Sequence, residues 1–212
     1  MRRPRVLLAG RNRYRLPLEP GLAAKFAALE QVLDLRVLGS APAGSPTHEG
    51  AFALVPQARL LDGPRFYATL PLRIAGELRR FRPEAVLAQS PYEAAAALAG
   101  RWLARSRARV VADVHGDWRT FARLYGSPRR RLLAPLADRI SATALRRADA
   151  VRTVSPYTSR IVREAGLEPA AEFPAFMELE PFLATPPEPL PERPQALFVG
   201  VLERYKNVDG LA

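Results

Sequence analysis

The sequence predicts an α/β protein with a doubly wound parallel sheet, on three observations. Short apolar runs rich in Val, Leu and Ala alternate with segments of helical apolar period, the signature of repeated strand–helix units. One run, Val110 to Val114, is apolar at nearly every position, as in a strand buried on both faces. It stops at His115, Gly116 and Asp117, and the carboxyl ends of buried parallel strands are where open α/β sheets bind ligands.

With 212 residues, 48% of them hydrophobic, the chain can build one large domain or one and a half of ordinary size. The opening Val6-Leu7-Leu8-Ala9-Gly10 superficially suggests a secretory leader, but it is short and runs straight into Arg11-Asn12-Arg13-Tyr14-Arg15. No window is apolar for long enough to span a bilayer. The absence of cysteine excludes disulfides and thiolate metal sites and fits a reducing cytoplasm. A net charge of +11 invites an anionic partner: nucleic acid, a phosphorylated substrate or acidic lipid. Only Lys25 and Lys206 are lysines among the 32 basic residues. An arginine-rich solvated surface explains that composition as well as a binding face does.

Val6 to Gly10 reads as the first strand, followed by an arginine-rich loop and a helix that opens near Pro20-Gly21 and carries Ala24, Phe26, Leu29 and Val32. Leu35 to Leu38 and Ala51 to Val55 are short strands separated by a Ser, Pro and Gly loop over Gly39 to Gly50. Phe66, Leu70, Ile74 and Leu78 put one apolar stripe on a helix ending near Phe81. Pro83 turns the chain into a strand at Ala85 to Gln89. Ser90-Pro91 reads as cap and first turn of the alanine-rich helix to Ala104, which delivers the chain to Val110.

After Trp118 come Phe121, Leu124 and Tyr125, a break at Gly126-Ser127-Pro128, and a long helix to about Arg147. Leu133, Leu136, Ile140 and Ala144 form its expected buried stripe, and Arg129 to Arg131 crowd its first turn against the helix dipole. Ala150 to Val154 is a further strand, and Ser155-Pro156 caps a short helix ending at Gly166. Residues 1–166 thus read as one domain, and 167–194, with its run of prolines, as a linker or crossing segment. Residues 195–212 read as the first strand (Ala196 to Gly200) and helix start of a second domain. The only other histidine, His48, lies in a distant loop, so no metal-ligand spacing is present, and the glycine-rich dinucleotide fingerprint is absent too.

Several stretches together resemble the retaining GT-B glycosyltransferases of family 4, the glycogen-synthase-like class. They are Arg82-Pro83-Glu84-Ala85-Val86, the His115 stretch, Ala148 to Ser155, Phe173-Pro174 through Glu180-Pro181-Phe182, and Leu197 to Gly200 through Lys206-Asn207. Their order and spacing match along essentially the whole chain. The resemblance implies two Rossmann-like domains facing across a cleft, with the acceptor mainly on the first and a nucleotide-diphospho-sugar donor mainly on the second. It implies transfer with retention, usually without a metal or other cofactor.

For His115 it implies a catalytic place at the donor sugar, where a neutral imidazole can donate and accept while adding no fixed charge. Lys206 matches the lysine that holds the donor diphosphate, and Arg204 is a second candidate for those phosphates. The chain departs from the family at Val201, where an arginine is usual, and at Ala175-Phe176, where the family has Asn-Gly. Gly10 stands where the family's loop glycines admit the donor closely.

Arg11 and Arg13, with Arg15, are candidates for an anionic acceptor, and Asp117 for orienting an acceptor hydroxyl or for capping the next segment. Ser155 and Asp149 match the family and read as structural. The expectation is the acceptor-side half of a retaining glycosyltransferase, inactive alone and cytoplasmic, free or at the inner membrane face. Its acceptor is a glycan, a lipid-linked sugar or a small molecule, and nucleic acid is not its expected partner. Two rivals are a non-catalytic protein of this fold that binds lipid or nucleic acid through its basic face, and a nucleotide-sugar epimerase of the same architecture.

Overall fold

A computed structural model describes residues 2–119, 132–175, 179–186, 189, 192–193, 195, 197–199 and 210. Its centre is an eight-stranded sheet in the order β3-β4-β2-β1-β5-β6-β7-β8. The strands are β1 (Arg5–Arg13), β2 (Asp34–Ala41), β3 (His48–Glu49), β4 (Phe52–Pro56), β5 (Ala85–Ala88), β6 (Arg109–Val114), β7 (Ala150–Thr153) and β8 (Ala171–Glu172). All pairings are parallel except the short edge pair of β3 with β4.

The helices among the described residues are α1 (Pro20–Val32), α2 (Asp62–Arg80), α3 (Pro91–Ala104), α4 (Ala134–Arg147), α5 (Pro156–Glu164) and the single turn α6 (Glu180–Leu183). None is long and apolar enough to cross a membrane.

The doubly wound character follows from strand alternation. On β1, Leu7 and Ala9 enter a core with Phe66, Leu70, Ile74 and Leu78 of α2, whereas Leu8 points to the other face, into a core with Phe26 of α1, Phe52 and Tyr14. Successive side chains thus supply both cores, which is why these strands read as continuous apolar runs. The chain winds outward from β1 through β2 to β4, then returns to β5 on the other side of β1. That reversal opens a crevice at the carboxyl ends of β1 and β5. Gly100 of α3 lets the α2 backbone come close, since a Cβ there would stand 2.9 Å from Pro71 O and from Ile74 Cγ2.

The expected α2 stripe is buried in full. Ser90 caps α3, its side chain accepting from Tyr92 N at 3.1 Å, and Ser155 forms a reciprocal capping box with Thr158 on α5.

Three local expectations are corrected. Arg11 to Arg13 lie inside β1, not in a loop, because the strand resumes pairing past an irregularity, with Arg13 opposite Ser40. Within the expected loop over residues 39–50, Gly39 to Ala41 extend β2 and His48–Glu49 form β3. On α4 the buried positions are Ala134, Ser141, Ala144 and Leu145, while Leu133, Leu136 and Ile140 are exposed. Apart from Leu145 the buried face of α4 is small, and Leu136 and Ile140 line an open groove beside α3.

Ala171–Glu172, inside the expected crossing segment, adds β8 to the sheet edge beside β7. Phe121 to Arg131, Ala196 and the stretch from Gly200 to Asn207 lie outside the described residues, while Leu197 to Val199, expected within a strand at Ala196 to Gly200, carry no strand.

Candidate functional site

β6 ends at Val114, and His115 follows at the carboxyl edge of the sheet, about half exposed. Alternation places His115 and Asp113 on the same side of the strand. Asp113 is the register partner of Arg152 on β7, and the three side chains meet. His115 Nε2 lies 2.8 Å from Asp113 Oδ2. Arg152 Nη1 donates to Asp113 Oδ1 at 2.7 Å and to Oδ2 at 2.9 Å. Asp113 is only 4% exposed. Burial alone would raise its pKa, yet hydrogen bonds and charge from His115 and Arg152 outweigh this and hold it below the usual aspartate range.

Arg152 is itself anchored. Its Nη2 donates to the carbonyls of Phe173 (2.8 Å) and Pro174 (3.1 Å), and its guanidinium lies 3.8 Å from the Phe173 ring centroid. β8 pairs Ala171 with Arg152, so alternation sends Phe173 to the face that carries Arg152. A row of interactions therefore runs from the segment after β8, across β7, to the imidazole at the end of β6.

A second polar cluster occupies the crevice between β1 and β5. Glu93, in the first turn of α3, is 3% exposed. Its Oε1 accepts from Tyr67 Oη at 2.9 Å and from Arg11 N at 3.2 Å, and its Oε2 accepts from Ser90 Oγ. Burial raises its pKa, with the hydrogen bonds from Tyr67 and Arg11 pulling the other way. Arg11 Nη2 donates to Asp62 Oδ2 at 2.9 Å. That bond, the bond from Ala58 N and the charges of Arg11 and Arg13 lower the Asp62 pKa against desolvation.

His115 thus opens to the strand ends, while Arg11 and Arg13 lie on β1, two strands away, around Asp62. Arg11 is tied to that carboxylate, and Arg13 is exposed. Gly10 is buried, and the space a Cβ would take is filled by the Gln89 side chain. Asp117 acts as a cap: its Oδ1 accepts from Arg119 N at 2.9 Å and from Arg119 Nε at 3.0 Å. Lys206, Arg204 and Val201 lie outside the described residues. No group of three or more His, Asp or Glu among the described residues could hold a metal ion.

Sequence reading passed over Asp113, Arg152 and Glu93. For the first two the signal was present: a charged residue inside an otherwise apolar buried strand needs a partner. Glu93 looked like an ordinary acidic residue in a helix's first turn.

A family model described as Glycosyltransferase Family 4 matches residues 22–171. Among solved structures, the chain is similar to UDP-N-acetylglucosamine 2-epimerase from Rickettsia bellii, at 12% identity and a TM-score of 0.50, covering 82% of this chain and 44% of that one. It is also similar to a Listeria monocytogenes protein given the same name, at 14% identity and a TM-score of 0.48, covering 82% and 45%. Both likenesses concern the fold alone, and the chain spans less than half the length of either structure. No protein of curated function matches the sequence. The Rossmann-like sheet is half of a GT-B fold, and since the family model covers well over half of its residues, the chain belongs to glycosyltransferase family 4.

Proposed function

We propose that the full-length protein moves a sugar, with retention, from a nucleotide-diphospho-sugar to an acceptor hydroxyl, and that this chain is the acceptor-side half, inactive alone. The observation that supports the reading most is the placement of His115, a half-exposed imidazole at the carboxyl edge of the sheet, backed by buried Asp113 and Arg152. In this reading His115 meets a hydroxyl of the donor sugar, and the strand ends around it form one wall of the cleft. Lys206 and Arg204 hold the donor diphosphate, and no metal is needed.

Nucleotide-sugars incubated with the full-length protein, with and without glycan and lipid-linked acceptors, test this. Acceptor-dependent product of retained anomeric configuration is expected, and His115→Ala is expected to lower its rate by about 10²-fold or more, the scale for losing one positioned polar group. Sugar transfer by the 212-residue chain alone would overturn the claim that it is half a site. The second reading, an epimerase of this fold, predicts a changed sugar on the same nucleotide with no acceptor added.

We also propose that the protein works at an anionic bilayer surface, through the groove between α3 and α4. Trp102 is 78% exposed there, beside exposed Leu136 and Ile140, and the charged residues lining the groove are Arg101, Arg105, Arg139 and Arg147. An apolar floor with an all-arginine rim suits acidic headgroups. Replacing Arg105, Arg139 and Arg147 together with Gln is expected to weaken binding to phosphatidylserine vesicles about 100-fold, at about 1 kcal/mol per basic residue. Unchanged sedimentation with vesicles would dismiss this surface. Arg129 to Arg131, whose crowded charges would also favour an anionic surface, lie outside the described residues.

A further inference from the structure

We propose that Asp113 and Arg152 are positioning residues that fix neutral His115 as its Nε2–H tautomer, so that the group it recognises must be a hydroxyl able to donate and not a carboxylate. The inference rests on the reading that His115 faces the donor sugar, and it adds which atom does so and which class of sugar fits.

An ionised carboxylate only accepts hydrogen bonds. The 2.8 Å approach of His115 Nε2 to Asp113 Oδ2 therefore requires the proton on Nε2. A neutral imidazole carries one N–H, so Nδ1 is left as a bare acceptor. Asp113 cannot readily take another arrangement. It is buried, both of its oxygens accept from Arg152 Nη1, and Arg152 is pinned by two backbone carbonyls and by the Phe173 ring. Its lowered pKa agrees with a carboxylate that stays ionised.

A sugar hydroxyl placed at Nδ1 can give its proton to that lone pair. An acidic sugar's carboxylate would set lone pair against lone pair, and a site built for one hydrogen-bonding sense discriminates strongly against the other. Arg152 extends the control to the segment after β8: displacing Phe173 or Pro174 would release Arg152, then Asp113, then the tautomer.

The test is nitrogen-15 NMR of the imidazoles at alkaline pH, which reports the tautomer of a neutral ring. The chain has only two histidines, so His48→Gln assigns them. The expected result is a pyridine-like Nδ1 for His115 in the wild type and mixed tautomers once the Asp113 carboxylate is removed. Asp113→Asn is the first variant. The apolar pair Asp113→Leu with Arg152→Met serves if the single change does not fold, because it leaves no unpaired charge.

A dominant Nδ1–H form in the wild type would overturn the proposal. So would an unchanged tautomer in both variants. In the full-length protein, UDP-glucose is expected to outcompete UDP-glucuronic acid by about tenfold or more, with the preference shrinking in Asp113→Asn. A preference for the uronic acid would also overturn it. If the protein binds no nucleotide-sugar at all, the glycosyltransferase reading fails, and the NMR result still decides the tautomer.

Discussion

Arg152→Met is expected to destabilise the chain by about 3–5 kcal/mol at pH 7, the cost of stranding one member of a buried ion pair. Asp113 would remain 4% exposed with His115 as its one remaining partner in the network, and the carbonyls of Phe173 and Pro174 would lose their donor. Urea unfolding measures the loss, and two comparisons tie it to the stranded charge. Arg163→Met removes an arginine paired with Glu168 on the open surface and is expected to leave the urea midpoint nearly unchanged. Adding Asp113→Leu to Arg152→Met is expected to recover most of the loss, since an apolar pair needs no partner.

Acid provides a further check. The Asp113 pKa is depressed in the fold, so near the ordinary aspartate range the unfolded chain binds more protons than the folded one. The contribution of Asp113 is complete above that range and is lost as pH falls through its lower folded value. Without Arg152, burial acts with less opposition and Asp113 takes up its proton at higher pH. The gap between wild type and Arg152→Met should therefore narrow on acidification, and a pH-independent gap would mean that lost packing, not stranded charge, is the cause.

What was legible in the sequence depended on whether its signal was local. The α2 stripe is a period within one helix, and Ser90-Pro91 and Ser155-Pro156 are caps decided by neighbouring residues. These were readable, and with the strand–helix alternation they sufficed for the sheet. Arg11 and Arg13 looked like loop because their charges end an apolar run. They stay in β1 because β2 continues beside them to Ala41. The rotation of α4 was hidden because it is set by packing between helices, which the period of one helix does not show.

The site divides the same way. His115 could be found as a polar residue after a buried strand. The pairing of Asp113 with Arg152 required the β6–β7 register, which joins residues 39 positions apart in sequence. Periodicity within a segment carries no information about register between segments.

Glu93→Ala is expected to cost about 3 kcal/mol, and Glu93→Gln less than about 1 kcal/mol at pH 7. Alanine leaves Tyr67 Oη and Arg11 N without the oxygen they share, in a place too buried for water to replace it easily, and each stranded group costs about 1–3 kcal/mol. Glutamine keeps an acceptor for both and can turn its amide N–H toward Ser90 Oγ, the partner of the other carboxylate oxygen.

The pH dependence is opposite to that of Asp113. Burial raises the Glu93 pKa in the fold, so above the ordinary glutamate range the folded chain holds the proton more tightly than the unfolded one. Stability from this group is complete below that range and is lost as pH rises through the elevated folded value. Glu93→Gln cannot titrate, so it should gain on the wild type as pH rises, whereas the gap to Arg152→Met closes as pH falls. Thermal unfolding of wild type and both variants across pH 4 to 8 would separate the two carboxylates. A Glu93→Gln difference that stayed flat would mean that Glu93 is ionised in the fold as readily as in the unfolded chain. Its bonds to Tyr67, Arg11 and Ser90 would then balance its burial, where at Asp113 the bonds of His115 and Arg152 outweigh it.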